Sequence, residues 1–105
     1  MKSQKQNKCD ISIICPVFNE SQNLENLYQR LTNSIPNKYN YEIIFIDDGS
    51  TDLSNSILRK IALEDERVCS ISFTKNYGHQ IALTAGYDFA KGMCVISLDS
   101  DLQHP

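Results

Sequence analysis

From residue 9 onward, short apolar runs rich in β-branched residues alternate with stretches whose apolar positions recur three and four apart. Ile11-Ser12-Ile13-Ile14-Cys15 is too short and too β-branched for a helix, and Pro16 is expected to end it. Leu24, Leu27, Tyr28, Leu31 and Ile35 form one stripe of a helix, with Ser21 as its N-cap and Pro36 as its stop. Tyr41-Glu42-Ile43-Ile44-Phe45-Ile46 is nearly continuous apolar sequence, the mark of a strand buried on both faces. Leu53, Ile57, Leu58 and Ile61 predict a second amphipathic helix ending near Glu64-Asp65-Glu66. Val68 to Phe73 reads as a third strand and Met93 to Leu98 as a fourth. Between them Ile81, Ala82, Ala85, Phe89 and Ala90 make a third helical stripe, with Gly92 as its C′ residue.

The order β-α-β-α-β-α-β predicts an α/β domain, a mainly parallel sheet flanked by helices and joined by right-handed crossovers. Residues 1–8 are a polar tail, and residues 9–105 form one domain without internal repeat or linker. In such sheets ligands bind outside the carboxyl ends of the strands. The polar residues of this chain concentrate at four such ends: residues 16–20, 47–52, 74–79 and 99–103.

Composition narrows the function classes. The chain has 105 residues, room for one small domain, and its ten Lys+Arg against thirteen Asp+Glu leave a net charge of −3. A nucleic-acid binder would carry a basic surplus, so no nucleic-acid partner is expected. No apolar run approaches the roughly 20 residues of a membrane span, and the polar start has no secretory h-region. Cys9, Cys15, Cys69 and Cys94 lack any C-x-x-C pair, and the last three sit among Ile and Val as small buried hydrophobes would. Reduced thiols and a cytoplasmic location are expected. The chain stops directly after an acidic cluster with no closing element behind it, which predicts a cut through a larger domain.

The chemistry lies at the four ends. Pro16 fixes a turn, Phe18 offers a ring face for a base, and Glu20 an acceptor near a helix start. Adjacent Asp47 and Asp48 repel unless a donor, a cation or solvent neutralises them, and an acceptor carboxylate at a strand tip suits a ribose hydroxyl or a base N–H. Gly49 lets backbone or ligand approach closely. Asp52 reads foremost as a helix cap. Lys75 or the helix start after Gly78 could serve phosphate oxygens, with His79 beside them. No P-loop or G-x-G-x-x-G cradle is present. Asp99 and Asp101, with Gln103, are hard oxygen ligands of the kind Mg2+ or Mn2+ prefer, and such ions also hold substrate phosphates.

Three segments in order, Cys15-Pro16-Val17-Phe18-Asn19-Glu20, Ile46-Asp47-Asp48-Gly49-Ser50-Thr51-Asp52 and Asp99-Ser100-Asp101-Leu102-Gln103-His104-Pro105, resemble the N-terminal half of a family 2 glycosyltransferase of the Rossmann-like GT-A fold. The resemblance covers residues 9–105. The segment Asn76-Tyr77-Gly78-His79-Gln80-Ile81-Ala82-Leu83-Thr84-Ala85-Gly86 is similar to the branch that glycosylates polyprenyl phosphates, bactoprenol and dolichol phosphate included. It implies that Pro16, Phe18 and Glu20 hold the nucleoside of a nucleotide-sugar, with Ile46 and Asp48 on its base and ribose. It further implies that Asp99, Ser100 and Asp101 form a D-x-D element, with Asp101 and Gln103 nearest a divalent ion and the diphosphate. Phe18 stands where Tyr is common, and Ser100 where Ala is frequent. The implied reaction transfers a hexose from a nucleoside-diphosphate sugar, UDP favoured over GDP, to a polyprenyl phosphate with inversion. The parent enzyme would sit at the cytoplasmic face of the membrane. No residue here matches a catalytic base or the acceptor side, and the sequence does not speak to oligomeric state.

Two other classes compete. An inactive truncated remnant, or a fragment that only binds nucleotide, accounts for the abrupt end. A phosphoacceptor receiver module shares the size and the βα alternation. Receivers, however, carry the acidic pair after the first strand and a Lys after a fifth, and here the pair follows the second.

Overall fold

The computed structural model describes residues 8–98. Within them the order is β1 (Ile11–Val17), α1 (Leu24–Ser34), β2 (Tyr41–Asp47), α2 (Ser54–Glu64), β3 (Val68–Ser72), α3 (His79–Phe89) and β4 (Cys94–Ser97). The strands form one sheet in the order β3-β2-β1-β4, and every neighbouring pair is parallel. The chain therefore builds outward from β1 to β3, then returns through α3 to place β4 on the other side of β1. That reversal makes a topological switch point between the carboxyl ends of β1 and β4.

Alternation along the strands fills two cores. Ile13, Cys15 and Val17 of β1 and Ile43 and Phe45 of β2 point to one face, against Leu24, Leu27 and Leu31 of α1 and Leu58 and Ile61 of α2. Ile14, Ile44 and Ile46 point to the other face, against Ala82 of α3. β2 lies between β1 and β3 and is buried on both faces, as its nearly continuous apolar run predicts.

Several local expectations need correction. Pro16 does not end β1, which runs on to Val17 with Pro16 paired to Ile46. The Ile14 carbonyl accepts the Leu98 N–H at 2.8 Å, whereas the Val17 carbonyl accepts the Asp48 N–H at 2.8 Å. Even positions of β1 thus face β4 and odd ones face β2. Pro16 removes only a donor on the β4 side, where the last register pair among the described residues is Ile14↔Ser97.

Ser21 is not the cap of α1. Asn23 holds that position without a side-chain bond, and Ser21 instead donates its N–H to Asp52 Oδ2 at 3.2 Å. Ile35 lies beyond the helix, in extended backbone. Leu53 precedes α2 and is 67% exposed, so its place in the apolar pattern is not a place in the core. Gly92 is not a left-handed C′ residue. It is small because a Cβ there would lie 2.6 Å from the Ser12 nitrogen.

The third stripe is the largest correction. Ile81 and Phe89 are 51% and 58% exposed, while Ala82 and Gly86 are buried. A Cβ on Gly86 would sit 2.4 Å from Ile14 Cγ2 and 2.9 Å from Ile46 Cδ1. At Ala82 and Gly86 α3 lies so close to the sheet that only small residues fit, Leu83 packs at the margin of that core, and Ile81, Tyr87 and Phe89 turn outward. Cys15 is buried as expected, but Cys69 and Cys94 are exposed, on the two outer strands of the four.

Candidate nucleotide-sugar site

The three loops that leave β1, β2 and β3 at their carboxyl ends are tied together by side chains. Asn19, in left-handed backbone at φ 52, accepts the Thr51 N–H at 2.8 Å and the Asp52 N–H at 3.3 Å on its Oδ1. Its own N–H donates to Ser50 Oγ at 2.9 Å, and the next N–H, of Glu20, donates to Ser54 Oγ at 3.0 Å. Asn is among the few residues that tolerate this backbone conformation, because its short amide can bond locally. Asp52 accepts Ser54 N–H at 2.9 Å as well as Ser21 N–H. Desolvation pushes its carboxyl up, but the bonds from Ser54 and Ser21 outweigh it and bring the pKa down to about 2. Asp52 therefore organises a helix start, and also staples it to the loop from β1.

The acidic pair is neutralised by donors from two different places. Asp47 Oδ1 accepts the Ser50 N–H at 3.1 Å within its own turn. The Asp48 carboxylate accepts the Tyr77 N–H at 2.7 Å, the Gly78 N–H at 3.0 Å and Asn76 Nδ2 at 3.1 Å, all from the loop between β3 and α3. That loop rests on Gly49, where a Cβ would lie 2.3 Å from the Lys75 carbonyl carbon, and whose φ of +75 also favours glycine. The Phe73 and Tyr77 rings meet edge to face at 5.5 Å.

Of the expected site residues, Phe18, Lys75 and His79 are exposed and Glu20 is half-buried, its Oε1 accepting Asn23 Nδ2 at 3.0 Å. Lys75 Nζ lies 5.3 Å from the Tyr77 ring centroid. His79 opens α3 and lines a cavity of about 290 Å³ with Leu83, Ser97 and Leu98. Asp48 is buried at the tip of β2. Pro16 is buried within β1, and the Ile46 side chain belongs wholly to the core beneath α3, so any ligand contact from Ile46 is left to its backbone. Asp99, Ser100, Asp101 and Gln103 lie outside the described residues. Among the described residues no cluster of three His, Cys, Asp or Glu could hold a metal ion, and no helix is long and apolar enough to cross a membrane.

Asn19, Ser50, Ser54 and Asn76 brace the three loops, a role that the sequence alone does not give them. Their signal was faint: short polar residues at turns, each useful only with a partner more than twenty positions away.

A larger concavity, about 830 Å³, opens at the opposite end of the sheet beside Lys8, Glu42, Arg67, Cys69 and Lys91. Some of its polar groups are paired, whereas the buried Tyr41 hydroxyl has no hydrogen-bond partner among the described residues. Glu42 Oε2 accepts Ser12 Oγ at 2.6 Å and the Lys91 N–H at 2.7 Å, and Arg67 forks onto Asp65. Size alone would select it, but the topology places the ligand crevice at the other end.

Known proteins share this sequence pattern and this fold. The chain is 48% identical over 95 residues to an uncharacterized glycosyltransferase, YkcC, of Bacillus subtilis, and 44% identical over 96 residues to the bactoprenol glucosyl transferase of Shigella phage SfV. It is 42% identical over 97 residues to the undecaprenyl-phosphate 4-deoxy-4-formamido-L-arabinose transferase of Pseudomonas fluorescens. Each alignment covers 90% of this chain but only 29%, 31% and 28% of the respective relative, so the chain spans under a third of their length. Among solved structures, Staphylococcus aureus TarS 1–349 superposes with a TM-score of 0.76 at 24% identity, over 88% of this chain and 27% of that one. The mannosyltransferase PcManGT of Pyrobaculum calidifontis, solved with GDP-Man and Mn2+, superposes with a TM-score of 0.77 at 24% identity, over 87% and 27%. The fold is that of the GT-A glycosyltransferases. The family model for glycosyl transferase family 2 matches residues 12–105, and the chain belongs to that family.

Proposed function

We propose that this chain is the donor-binding part of an enzyme that transfers a hexose from a nucleoside-diphosphate sugar to a polyprenyl phosphate, with inversion at the anomeric carbon. The observation that carries the reading is the meeting of the loops from β1, β2 and β3 at one end of the sheet, beside the switch point between β1 and β4. Relatives named for bactoprenol and undecaprenyl-phosphate transfer support the acceptor class.

In this reading Phe18 stacks on the base, Glu20 accepts from the nucleoside, and Asp48 presents a buried acceptor to base or ribose. Pro16 and Ile46 shape the crevice wall from behind. Lys75 and His79 face the phosphate and acceptor side, where a cation offsets the charge of the departing diphosphate. Asp99, Asp101 and Gln103, with Ser100 between the two carboxylates in sequence, supply the hard oxygen set that suits Mg2+ or Mn2+. β4 ends beside the switch point, its end fixed by the Leu98 N–H on the Ile14 carbonyl, and Asp99 is the next residue in the chain. When bound, such an ion acts as a Lewis acid on the diphosphate leaving group. The parent enzyme works at the cytoplasmic face of the membrane, where the lipid phosphate is accessible.

Calorimetric titration with UDP-glucose and GDP-mannose, with and without Mn2+ or Mg2+, tests this. Metal-dependent binding is expected, tighter for UDP-glucose and abolished by Asp101→Asn. A folded chain that gives no heat with either nucleotide sinks the reading and favours a remnant without activity.

A further inference from the structure

Asp48 stands one residue past β2 and is 4% exposed. Its backbone N–H is tied to the Val17 carbonyl, which fixes the main chain but leaves the direction of the carboxylate to its partners. Those partners are the Tyr77 N–H on Oδ1, and the Gly78 N–H and Asn76 Nδ2 on Oδ2. A carboxylate offers about four acceptor positions, so Oδ1 retains capacity for one more donor while Oδ2 is filled. Two of the three donors are main-chain groups that nearly any residue would supply. Asn76 is the one side chain among the described residues that bonds to this carboxylate. Its nitrogen lies 3.1 Å from both the Asp48 carbonyl oxygen and Oδ2. Only the amide nitrogen satisfies two acceptors at once, so the orientation of the Asn76 side chain is set by Asp48 itself.

We propose that Asn76 is a positioning residue of the donor site: it acts through Asp48, orienting that carboxylate so that Oδ1 is presented to the nucleoside. The inference rests on the donor-site reading above and adds a role for a residue outside the expected contact set. Gly49 serves the same end, because the backbone of Lys75 and Asn76 comes near enough to Asp48 only where the floor has no Cβ. Asn76 is an exposed residue outside both core clusters, so replacing it is expected to open no cavity in the core.

The test is a cycle of Asn76→Ala, Asp48→Asn and the double variant, with Asn76→Asp as an isosteric variant that trades the donor for a repelling carboxylate. UDP-glucose affinity in the presence of Mn2+, amide exchange at Tyr77 and Gly78 without nucleotide, and melting temperature are read for each. Asn76→Ala is expected to weaken nucleotide binding about tenfold, the scale of one bond to a charged group. Asn76→Asp should weaken it further, and both should speed exchange of the two amides. In the Asp48→Asn background, Asn76→Ala should cost nothing more, because the residue through which it acts has already changed. Unaltered affinity in Asn76→Ala, or a loss that adds in full to that of Asp48→Asn, overturns the proposal. So does unchanged exchange at Tyr77 and Gly78, a result that needs no nucleotide and therefore stands apart from failure of the donor-site reading. An affinity loss that merely follows the drop in melting temperature across all variants assigns Asn76 to stability alone and also overturns it.

Discussion

On one side of the sheet, α1 and α2 pack Leu24, Leu27, Leu31, Leu58 and Ile61 against Phe45 and its neighbours. On the other, α3 brings Ala82 and Gly86 down onto Ile14 and Ile46 and turns Ile81, Tyr87 and Phe89 outward. Both layers derive from the same apolar helical period, yet the buried face coincides with the bulky stripe only in the first. Separation between helix and sheet makes the difference. Where the helix stands off at full side-chain distance, large residues fill the gap and the hydrophobic effect selects the buried face. Where it approaches closely, steric fit selects small residues, and hydrophobicity no longer marks the inward direction.

Cutting a large side chain from the thick layer should have the largest effect. Leu58→Ala leaves a cavity among fully buried neighbours and is expected to cost about 3 kcal/mol, measured by urea denaturation. Next comes the opposite experiment on the thin layer. Gly86→Ala improves helix propensity by about 1 kcal/mol but drives a methyl into Ile14 and Ile46, for a net loss of about 1–2 kcal/mol. A stabilised Gly86→Ala protein breaks the comparison, since it would mean that α3 does not lie close to the sheet.

A third prediction concerns charge. On the α1/α2 side, Tyr28 donates to Asp65 Oδ2 at 2.5 Å, and Arg67 forks onto the same carboxylate at 2.9 Å. The Arg67 bonds, against the opposing effect of burial, hold Asp65 well below the usual carboxylate range, and the bond to Asp65 pushes Tyr28 up to about 12. A depressed carboxyl contributes stability above its unfolded pKa of about 3.9 and loses it as pH falls toward the folded value. The raised phenol contributes below its unfolded pKa of about 10 and loses that contribution as pH rises toward 12. Asp65→Asn should therefore flatten both limbs of the stability profile and cost about 1 kcal/mol near pH 7, a modest figure because Arg67 is half exposed. The acid limb should not vanish, because Asp52, held at about 2, titrates there as well.

The smallest effects belong to apolar residues that the helical pattern highlights but the fold leaves in solvent. Leu53→Gln and Ile81→Gln should each change stability by less than about 0.5 kcal/mol. A loss several times larger at Ile81 would show that the outward face of α3 is covered in solution.

Much of the architecture was legible along the chain because period and length carry it. The seven elements follow from short β-branched runs in strands and the three-four spacing in helices, and β2 shows its two-sided burial through a nearly continuous apolar run. Helix ends were harder to read. Ser21 looked like a cap, but Asp52 of the neighbouring loop claims its amide, and a bond across thirty-one positions leaves no local trace. The site divided in the same way. Asp48 and Glu20 stand out as carboxylates and Phe18 as a ring at the strand tips, whereas nothing local marks Asn19 and Asn76 as bracing residues. Their importance comes from partners supplied by other loops.

The sequence by itself determined what each segment becomes and where polar residues gather at the strand ends, because those depend on neighbours within one turn or one pleat. Tertiary structure decided which sides of the helices are buried, how the loops brace one another, and that β4 returns beside β1 to open the crevice. Those outcomes depend on distances between segments far apart in the chain, set only when the layers close on each other.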